Sequence, residues 1–435
     1  MDTTCPFSPH KTPSQESSRR FHGIIIAKKL AIRQGRRIMK KIRLKLNGNL
    51  IFTVLVMLAM AITIIVKETS RPAQTPDAIG YGSGTVKGEV VQILESGTVQ
   101  LGSIEQEYQI AQVRILEGDF KDTLVSVDHG AYQILPRGFS LTTGERILVT
   151  VGQTPDGALR AYFIDYIRLT PMLVLFAMFV VASILVSGWK GFQSLLSMGV
   201  SLLIIFYFII PRILAGADPI WTSIVGSFIF LAVTQYLVYG WTLKTQVALV
   251  AIVIAMTITG FLAVWFVNYT SLNGFGNESA MYLMQQGENL NIQNVLIASI
   301  IIGTLGVLDD LVISQASVVM ELYSANPNMS FRERFGAAFH IGRDHIAATV
   351  NTLVLAYVGA GLMMFLLFSL NNPDYLLLVN INFIAEEIVR SLVGTLGLFS
   401  AVPITNLIAS WAVDTPERVQ KLCRIFGPLG ASHDL

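Results

Sequence analysis

Charged residues and cysteines are both scarce in this 435-residue chain. Lys, Arg, Asp and Glu make up 14% of the residues and hydrophobic types 52%, with a mean hydropathy of +0.57. This composition excludes an ordinary soluble domain. The two cysteines, Cys5 and Cys423, lie in the two tails, so we expect neither a disulfide framework nor a metal site.

Sequence motifs of the common enzymes are missing as well. The chain has no phosphate-binding loop, no His-Glu-x-x-His and no Gly-x-Ser-x-Gly, which argues against direct use of ATP and against the common hydrolases. Its soluble segment does not interleave basic residues with aromatics, so a nucleic-acid partner is not expected. We therefore predict a protein that is not an enzyme and that binds no cofactor.

Apolar runs long enough to cross a bilayer recur along the chain. A helix needs about 20 residues to span the hydrocarbon core. We predict about eight transmembrane helices, at residues 50–66, 171–187, 192–210, 220–239, 246–267, 294–323, 346–370 and 379–412. The fold class is then a polytopic α-helical membrane protein, and its first partner is the lipid bilayer.

Basic residues predict the orientation in the membrane. Residues 19–45 contain eleven Lys or Arg and no acid, directly before the first apolar run. Most basic residues of the later short loops fall on the same side, and Arg212 is the exception. We expect both termini in the cytoplasm and residues 67–170 outside it. Residues 50–66 are expected to be an uncleaved anchor; a cleaved signal peptide is the alternative, but no small-x-small cleavage site follows them.

One larger polar segment separates the first apolar run from the others. Residues 84–94, 98–101, 108–116, 123–127, 146–151 and 159–167 are β-rich and are divided by Gly and acidic turns. They predict a small extracytoplasmic β domain, either OB-like or sandwich-like. Asp128 and His129 are expected to form a turn with a structural role. The predicted domains are a basic cytoplasmic arm (1–49), the anchor (50–66), the β domain (67–170), a seven-helix membrane domain (171–412) and a cytoplasmic tail (413–435).

Two adjacent acids, Asp309 and Asp310, lie about halfway along the apolar run at 294–323. An acid at mid-bilayer depth costs about 2.5–3.5 kcal/mol, so such residues usually have a function. Helical spacing puts Ser299, Gly303, Ser314, Ser317 and Glu321 on the face of Asp310. We expect Asp310 to face the bundle interior and the pair to handle protons or ions, because two such carboxylates do not both ionise readily. The alternative is that the two acids only hold helices together.

The last apolar run carries a second charged group, Glu386, Glu387 and Arg390. Their spacing lets Arg390 pair with either glutamate, and pairing only among themselves is the alternative to a role in the relay. Residues 303–308 (GTLGVL) are echoed by residues 394–399 (GTLGLF). We expect Gly303, Gly306, Gly394 and Gly397 to permit close helix packing, and Pro403 to act as a hinge.

These motifs carry two resemblances. Residues 303–310, 386–390 and 397–405, and nearly the whole chain around them, resemble the YibE/F-like family of bacterial integral membrane proteins. Residues 303–360 are also similar to the central helices of RND-superfamily transporters and of SecD/SecF. The RND resemblance implies that Asp309 and Asp310 form a proton relay. The lysine expected on a facing helix has no clear match here, and Arg390 is a candidate substitute. The chain has one such half, whereas RND proteins usually have two.

Together these observations predict a proton-coupled transporter or translocation component in a bacterial plasma membrane, with an unknown small-molecule or ion substrate. Protonation of Asp310 would change its pairing with the group of Glu386, Glu387 and Arg390 and so move the helices. A single copy has only one RND-like half and would leave polar helix faces without partners, which favours a homo-oligomer or a hetero-oligomer. The alternative is a non-transporting scaffold or assembly factor whose β domain binds an envelope partner.

Overall fold

The computed structural model describes residues 85–136, 138–153, 159–276, 278–286, 290–370 and 374–430. The predicted basic arm (1–49) and anchor (50–66) lie outside the described residues. The described chain divides into two compact units, one within residues 61–199 and the other from residue 200 onward.

The first unit contains a closed β-barrel. Its strands are β1 (Thr85–Leu101), β2 (Ile104–Ile115), β3 (Leu124–His129), β4 (Arg146–Gln153) and β5 (Leu159–Tyr166). They close in the order β1-β2-β3-β5-β4, with β3 and β5 parallel and the other neighbours antiparallel. Alternate residues such as Val113, Ile115, Val127, Ile147 and Val149 are fully buried and fill the interior. The predicted β-rich domain is confirmed, and closure favours the OB-like alternative over a sandwich.

Two local expectations in this barrel were wrong. The runs at 84–94 and 98–101 are one strand, because β1 keeps its pairing with β2 through register shifts between Val90 and Gln92 and between Ile93 and Glu95. His129 ends β3 instead of forming a turn. It is 1% exposed, its Nε2 lies 3.1 Å from the hydroxyl of Tyr166, and burial lowers its pKa.

The helices that follow are α1 (Leu169–Ile204), a π-helical turn (Ile205–Ile209), α2 (Ile210–Leu214), α3 (Pro219–Tyr239), α4 (Leu243–Tyr269), α5 (Glu278–Gln286), α6 (Ile292–Ala325), α7 (Phe331–Ala360), α8 (Leu362–Ser369), α9 (Tyr375–Val379), α10 (Asn382–Ala412) and α11 (Pro416–Phe426). Helix α7 begins with a capping box, in which Ser330 and Glu333 satisfy each other's backbone amides. The short helix α8 is bent by 63° from α7.

Helix α1 is kinked at Gly188, whose φ is 58°, a value that glycine adopts more easily than other residues. The hydroxyl of Ser183 lies 3.5 Å from the carbonyl oxygen of Gly191, and a Cβ added to Gly191 would overlap the backbone of Ser183. In a straight helix, residues eight positions apart are about 12 Å apart. The chain therefore bends sharply between the predicted spans 171–187 and 192–210, and their separation into two spans stays a prediction.

Five of the described helical stretches are long and apolar enough to cross a membrane, or six if α7 and α8 form one bent span. The five are Leu169–Leu214, Pro219–Tyr239, Leu243–Tyr269, Ile292–Ala325 and Asn382–Ala412. The predicted number of eight is not confirmed. One predicted span lies outside the described residues, and two others fall within the single stretch that is kinked at Gly188.

In the second unit, α4, α6 and α10 form the centre of the bundle, and α3 and α7 pack around them. Residues such as Ile252 on α4, Ile300 and Leu305 on α6, and Leu398 on α10 are completely buried. The guanidinium of Arg334, near the start of α7, is also buried. It donates to the carbonyl oxygens of Ser410 and Val413, so a cation stabilises the carboxyl end of α10.

Candidate functional site

The polar face of α6 is present but does not point into the bundle. We call it the α6 stripe, and it consists of Ser299, Gly303, Gly306, Asp310, Ser314, Ser317 and Glu321. Gly303, Gly306 and Asp310 are exposed and the other members are half-buried, whereas the apolar face, with Leu308 and Val312, is buried. The prediction that Asp310 faces the bundle interior was wrong.

The reason is that lipid, and not water, surrounds the helices of a membrane protein. In water, the hydrophobic effect turns the apolar face of a helix inward, and polar residues remain outside. In lipid no such force separates the faces, so helices associate through packing and polar contacts. The Ile, Leu and Val face of α6 fits closely against α3, α4 and α10. The α6 stripe is left at the edge of this chain's own bundle, beside α7.

Asp309 has a specific partner that the sequence did not indicate. The side-chain amide of Gln235, on α3, donates to Asp309 Oδ1. Gln235 is 1% exposed, so the contact is shielded. The adjacent Asp310 projects to the open side of the helix. The structure therefore gives the two carboxylates different surroundings: Asp309 is held in place, and Asp310 is accessible.

The aspartates lie nearer one end of α3 than its middle. Asn294 Nδ2 donates to Asp218 Oδ2 over 3.2 Å, which aligns the amino ends of α6 and α3. Asp309 is fifteen residues beyond Asn294, or about 23 Å along the helix. Helix α3 is about 31 Å long, and Gln235 lies one turn before its end at Tyr239. The aspartates are thus near the middle of α6, which has 34 residues, but near the end of α3, and their depth in the bilayer stays a prediction.

A histidine on α7 contacts the α6 stripe at Ser314, one turn beyond Asp310. His345 Nδ1 lies 3.5 Å from the hydroxyl of Ser314, and that hydroxyl also lies 2.8 Å from the carbonyl oxygen of Asp310. His345 is not among the residues predicted from the sequence to belong to the site. The antiparallel course of α6 and α7 after the short connector at 326–330 is the signal that could have placed it opposite Ser314.

The charged residues of α10 do not act as one group. Arg390 forms an ion pair with Glu387, and its Nη2 lies 3.4 Å from the hydroxyl of Ser299 at the other end of the α6 stripe. Glu386 is separate: it is 6% exposed, and its Oε1 accepts a bond from the backbone amide of Gly276 over 3.0 Å. The predicted pairing of Arg390 with a glutamate is confirmed for Glu387.

The two charged centres are far apart. Arg390 contacts α6 at Ser299, and Asp310 is eleven residues further along the helix, which is about 16 Å. The direct pairing of Asp310 with the Glu386, Glu387 and Arg390 group is therefore absent from this structure. The α6 stripe, with Gly303 and Gly306 between its ends, connects the two centres.

The predicted packing glycines behave differently. A Cβ added to Gly397 would overlap the hydroxyl of Thr259 on α4, and one added to Gly394 would lie 3.1 Å from the hydroxyl of Thr304 on α6. A Cβ on Gly303 would meet only the hydroxyl of Tyr357 at 3.3 Å, and one on Gly306 would meet nothing within 4 Å. Close packing is confirmed for the α10 glycines only. Helix α10 continues through Pro403, so a hinge at that residue stays a prediction.

A cavity of about 580 Å³ opens at the end of the bundle where Glu386 lies. Its polar lining includes Asn268, Asn273, Asn291 and Gln293. The amide of Gln293 donates to the carbonyl oxygen of Leu272, which ties the connection between α4 and α6 to the start of α6.

The comparison with known families covers most of these helices. The model described as YibE/F-like protein matches residues 175–415, which is more than half of the chain and includes both the α6 stripe and the charged residues of α10. The chain belongs to the YibE/F-like family. No curated protein and no solved structure matches it. The YibE/F-like match begins after the barrel, so it is narrower than the resemblance drawn from the sequence, and the similarity to RND transporters and SecD/SecF stays a prediction.

Proposed function

We propose that this YibE/F-like protein is a proton-coupled transporter or translocation component of a bacterial plasma membrane. The α6 stripe carries the proposal. It joins the Glu387–Arg390 pair to the two aspartates, and in the described part of the chain Gly303, Gly306 and Asp310 on it are exposed. Polar and ionisable groups at membrane depth do not rest against lipid but line a hydrated path or face protein. A path along α6 is therefore the use that fits these residues.

The two aspartates have different surroundings, which indicates a different role for each. Asp310 is exposed and would take up and release the proton. Asp309, held beside it by Gln235, would share that proton, because two carboxylates this close do not both ionise readily. His345 and Ser314 would lead protons to this end of the stripe, since an imidazole can both donate and accept.

Movement would follow from the charge of the pair. A conformational equilibrium shifts only when its two states differ in affinity for the proton. Because Arg390 is about 16 Å from Asp310, the effect would pass through α6 itself and the glycines of its stripe rather than through a new ion pair. This mechanism differs from the direct pairing expected from the sequence.

The predicted orientation gives the path two ends. The basic loops predict that the Lys244 side of the bundle is cytoplasmic, which puts the aspartates near the cytoplasm and Arg390 near the outside. The cavity beside α6 would then open outside the cell and admit the unknown ion or small molecule. Both termini would be cytoplasmic and residues 67–170 extracytoplasmic.

A scaffold or assembly factor is the second candidate. The observation that favours it is that Glu387 and Arg390 form an ion pair on one helix and are largely buried, with 17% and 21% of the side chains exposed. Through the contact of Arg390 with Ser299, this pair would hold α10 against α6 and would take no part in proton movement. A second protein, or a second copy of this chain, would then cover the α6 stripe.

Protonation of the aspartates distinguishes the two candidates. Infrared difference spectra of the reconstituted protein, between mildly acid and mildly alkaline pH, should show a carboxyl band that disappears in Asp310→Asn. In Asp309→Asn the band should persist at a shifted pH, because the neighbouring charge is gone. Glu387→Gln is the matched control, since it removes an acid of the same bundle about 16 Å away and should leave the band unchanged.

The opposite result would favour the scaffold. If no aspartate band changes over this pH range while all three variants elute and unfold as the parent does, the relay proposal fails. The band should also be absent from denatured samples, which shows that it belongs to the folded site.

A further inference from the structure

Several large apolar side chains are exposed at one end of the β-barrel. Tyr132 is 89% exposed, Ile134 63%, Phe139 49% and Ile104 43%. We call these four residues the apolar tip. Single exposed apolar residues are common on protein surfaces, but a group of them at one end of a small domain usually marks a contact surface.

The members of the tip are held together by one side chain. Gln106 donates to the carbonyl oxygen of Gly130 over 2.6 Å and accepts from the backbone amide of Leu135 over 2.9 Å. These bonds attach the hairpin of β1 and β2, which carries Ile104, to the connection between β3 and β4, which carries the other three residues. The apolar tip is therefore a built feature of the barrel.

The apolar tip lies at the end from which the chain leaves the barrel. Strands β3 and β5 are parallel, with Asp128 paired to Tyr162, so His129 and Tyr166 end their strands on the same side. The ring of Phe139 lies 5.8 Å from that of Tyr166. Three residues after Tyr166, helix α1 begins at Leu169.

The short connection limits the distance between the tip and the membrane. Three residues span at most about 10 Å. Helix α1 is apolar from its start, and Leu169, Met172 and Leu173 in its first two turns are exposed. In a membrane these side chains lie in hydrocarbon, so the end of the barrel is within reach of the headgroup layer, which is about 5–7 Å deep.

We propose that the apolar tip inserts into the headgroup region of the leaflet on the barrel's side and holds the barrel against the bilayer. Tyrosine is at home there, because its ring is apolar and its hydroxyl reaches water. Apolar side chains of peripheral anchors enter about 5–10 Å below the surface. Arg168, paired with Asp165 over 2.7 Å, lies between the end of β5 and the start of α1, where a cation could meet lipid phosphate. The proposal does not depend on proton coupling.

Site-specific quenching tests this contact in the full-length protein. Cys5→Ser and Cys423→Ser supply a background without cysteine, and Ile134→Cys is labelled with an environment-sensitive fluorophore in phosphatidylcholine vesicles. Lipids with a nitroxide near the headgroup should quench this probe. Aqueous iodide should quench it several-fold less in the vesicles than after the protein has been unfolded in denaturant. Leu124→Cys is the matched control: it is 48% exposed and begins β3, about 16 Å from the tip end.

The control should show the reverse pattern, with strong iodide quenching and weak lipid quenching. Equal iodide quenching at both positions would overturn the proposal. Protection of position 134 from iodide without lipid quenching would also overturn it, because the tip would then rest on protein. As a second check, Tyr132→Ser with Phe139→Ser should reduce lipid quenching of a probe at Ile134→Cys, whereas Leu124→Ser should not.

Discussion

Residues 303–308 on α6 and 394–399 on α10 are nearly the same sequence, yet the structure treats them in opposite ways. On α10 the glycines face neighbouring helices, and a methyl group at Gly397 would overlap Thr259. On α6 the glycines lie on the open side, and a methyl group at Gly306 would meet nothing within 4 Å. One contact joins the two copies, where Thr304 of the first lies against Gly394 of the second.

The difference shows what a glycine pair means in a membrane helix. Small residues permit close approach of two helices, but they do not decide which helix approaches. The α10 copy lies between α4 and α6 and is used for packing. The α6 copy belongs to the α6 stripe, which also carries Asp310, and its glycines add no side chain to that face of the helix. Substitution of single glycines by alanine measures this difference directly.

The largest effect is expected for Gly397→Ala. The added Cβ would overlap the Thr259 hydroxyl, so the free energy of unfolding should fall by about 1–3 kcal/mol, as in other overpacked cores. Titration of the purified protein from mild detergent into SDS measures this. Thr259→Ala removes the overlapping atom, and the double variant should recover most of the loss. An equal loss with and without Thr259→Ala would refute the packing explanation.

A smaller loss is expected for Gly394→Ala. Its Cβ would lie 3.1 Å from the Thr304 hydroxyl, a tight contact that a shift of a few tenths of an ångström relieves. The loss of unfolding free energy should be below about 1 kcal/mol. Thr304→Ala is the relieving partner in the same SDS titration. A loss as large as that of Gly397→Ala would mean that α6 and α10 cannot move apart, against the mobility proposed for α6.

The smallest effect on folding is expected for Gly306→Ala. Since no atom lies within 4 Å, the unfolding free energy should stay constant or rise by about 0.5–1 kcal/mol from the better helix propensity. The same titration, together with measurement of the oligomeric state, tests this. A clear loss of stability would show that the α6 stripe is packed in the folded protein. A change in oligomeric state alone would show that a second copy covers it.

Much of the fold could be predicted from residue patterns. The β domain and the long apolar helices followed from residue patterns, because both β-alternation and membrane insertion depend on local sequence. The β1 bulges were missed, since Glu95, Ser96 and Gly97 look like a turn and only the pairing with β2 keeps them extended.

The candidate site was predicted less completely. The polar face of α6 and the ion pair of Glu387 with Arg390 followed from helical spacing. The contacts of Asp309 with Gln235, of Ser314 with His345 and of Arg390 with Ser299 join different helices. Spacing within one helix carries no information about its neighbours. Only the contact of Ser314 with His345 had a signal in the sequence, the short connector at 326–330 that makes α6 and α7 antiparallel.

The sequence by itself determined that this protein spans a membrane, that a β domain precedes most of the spans, and that one helix carries a polar stripe with two acids. These properties are sums over neighbouring residues, since each residue contributes its own transfer free energy. Only the tertiary structure decided that the stripe faces away from the bundle and that Asp309 is held while Asp310 is open. Lipid and protein interior are almost equally apolar, so the direction of a helix face depends on how closely its neighbours fit.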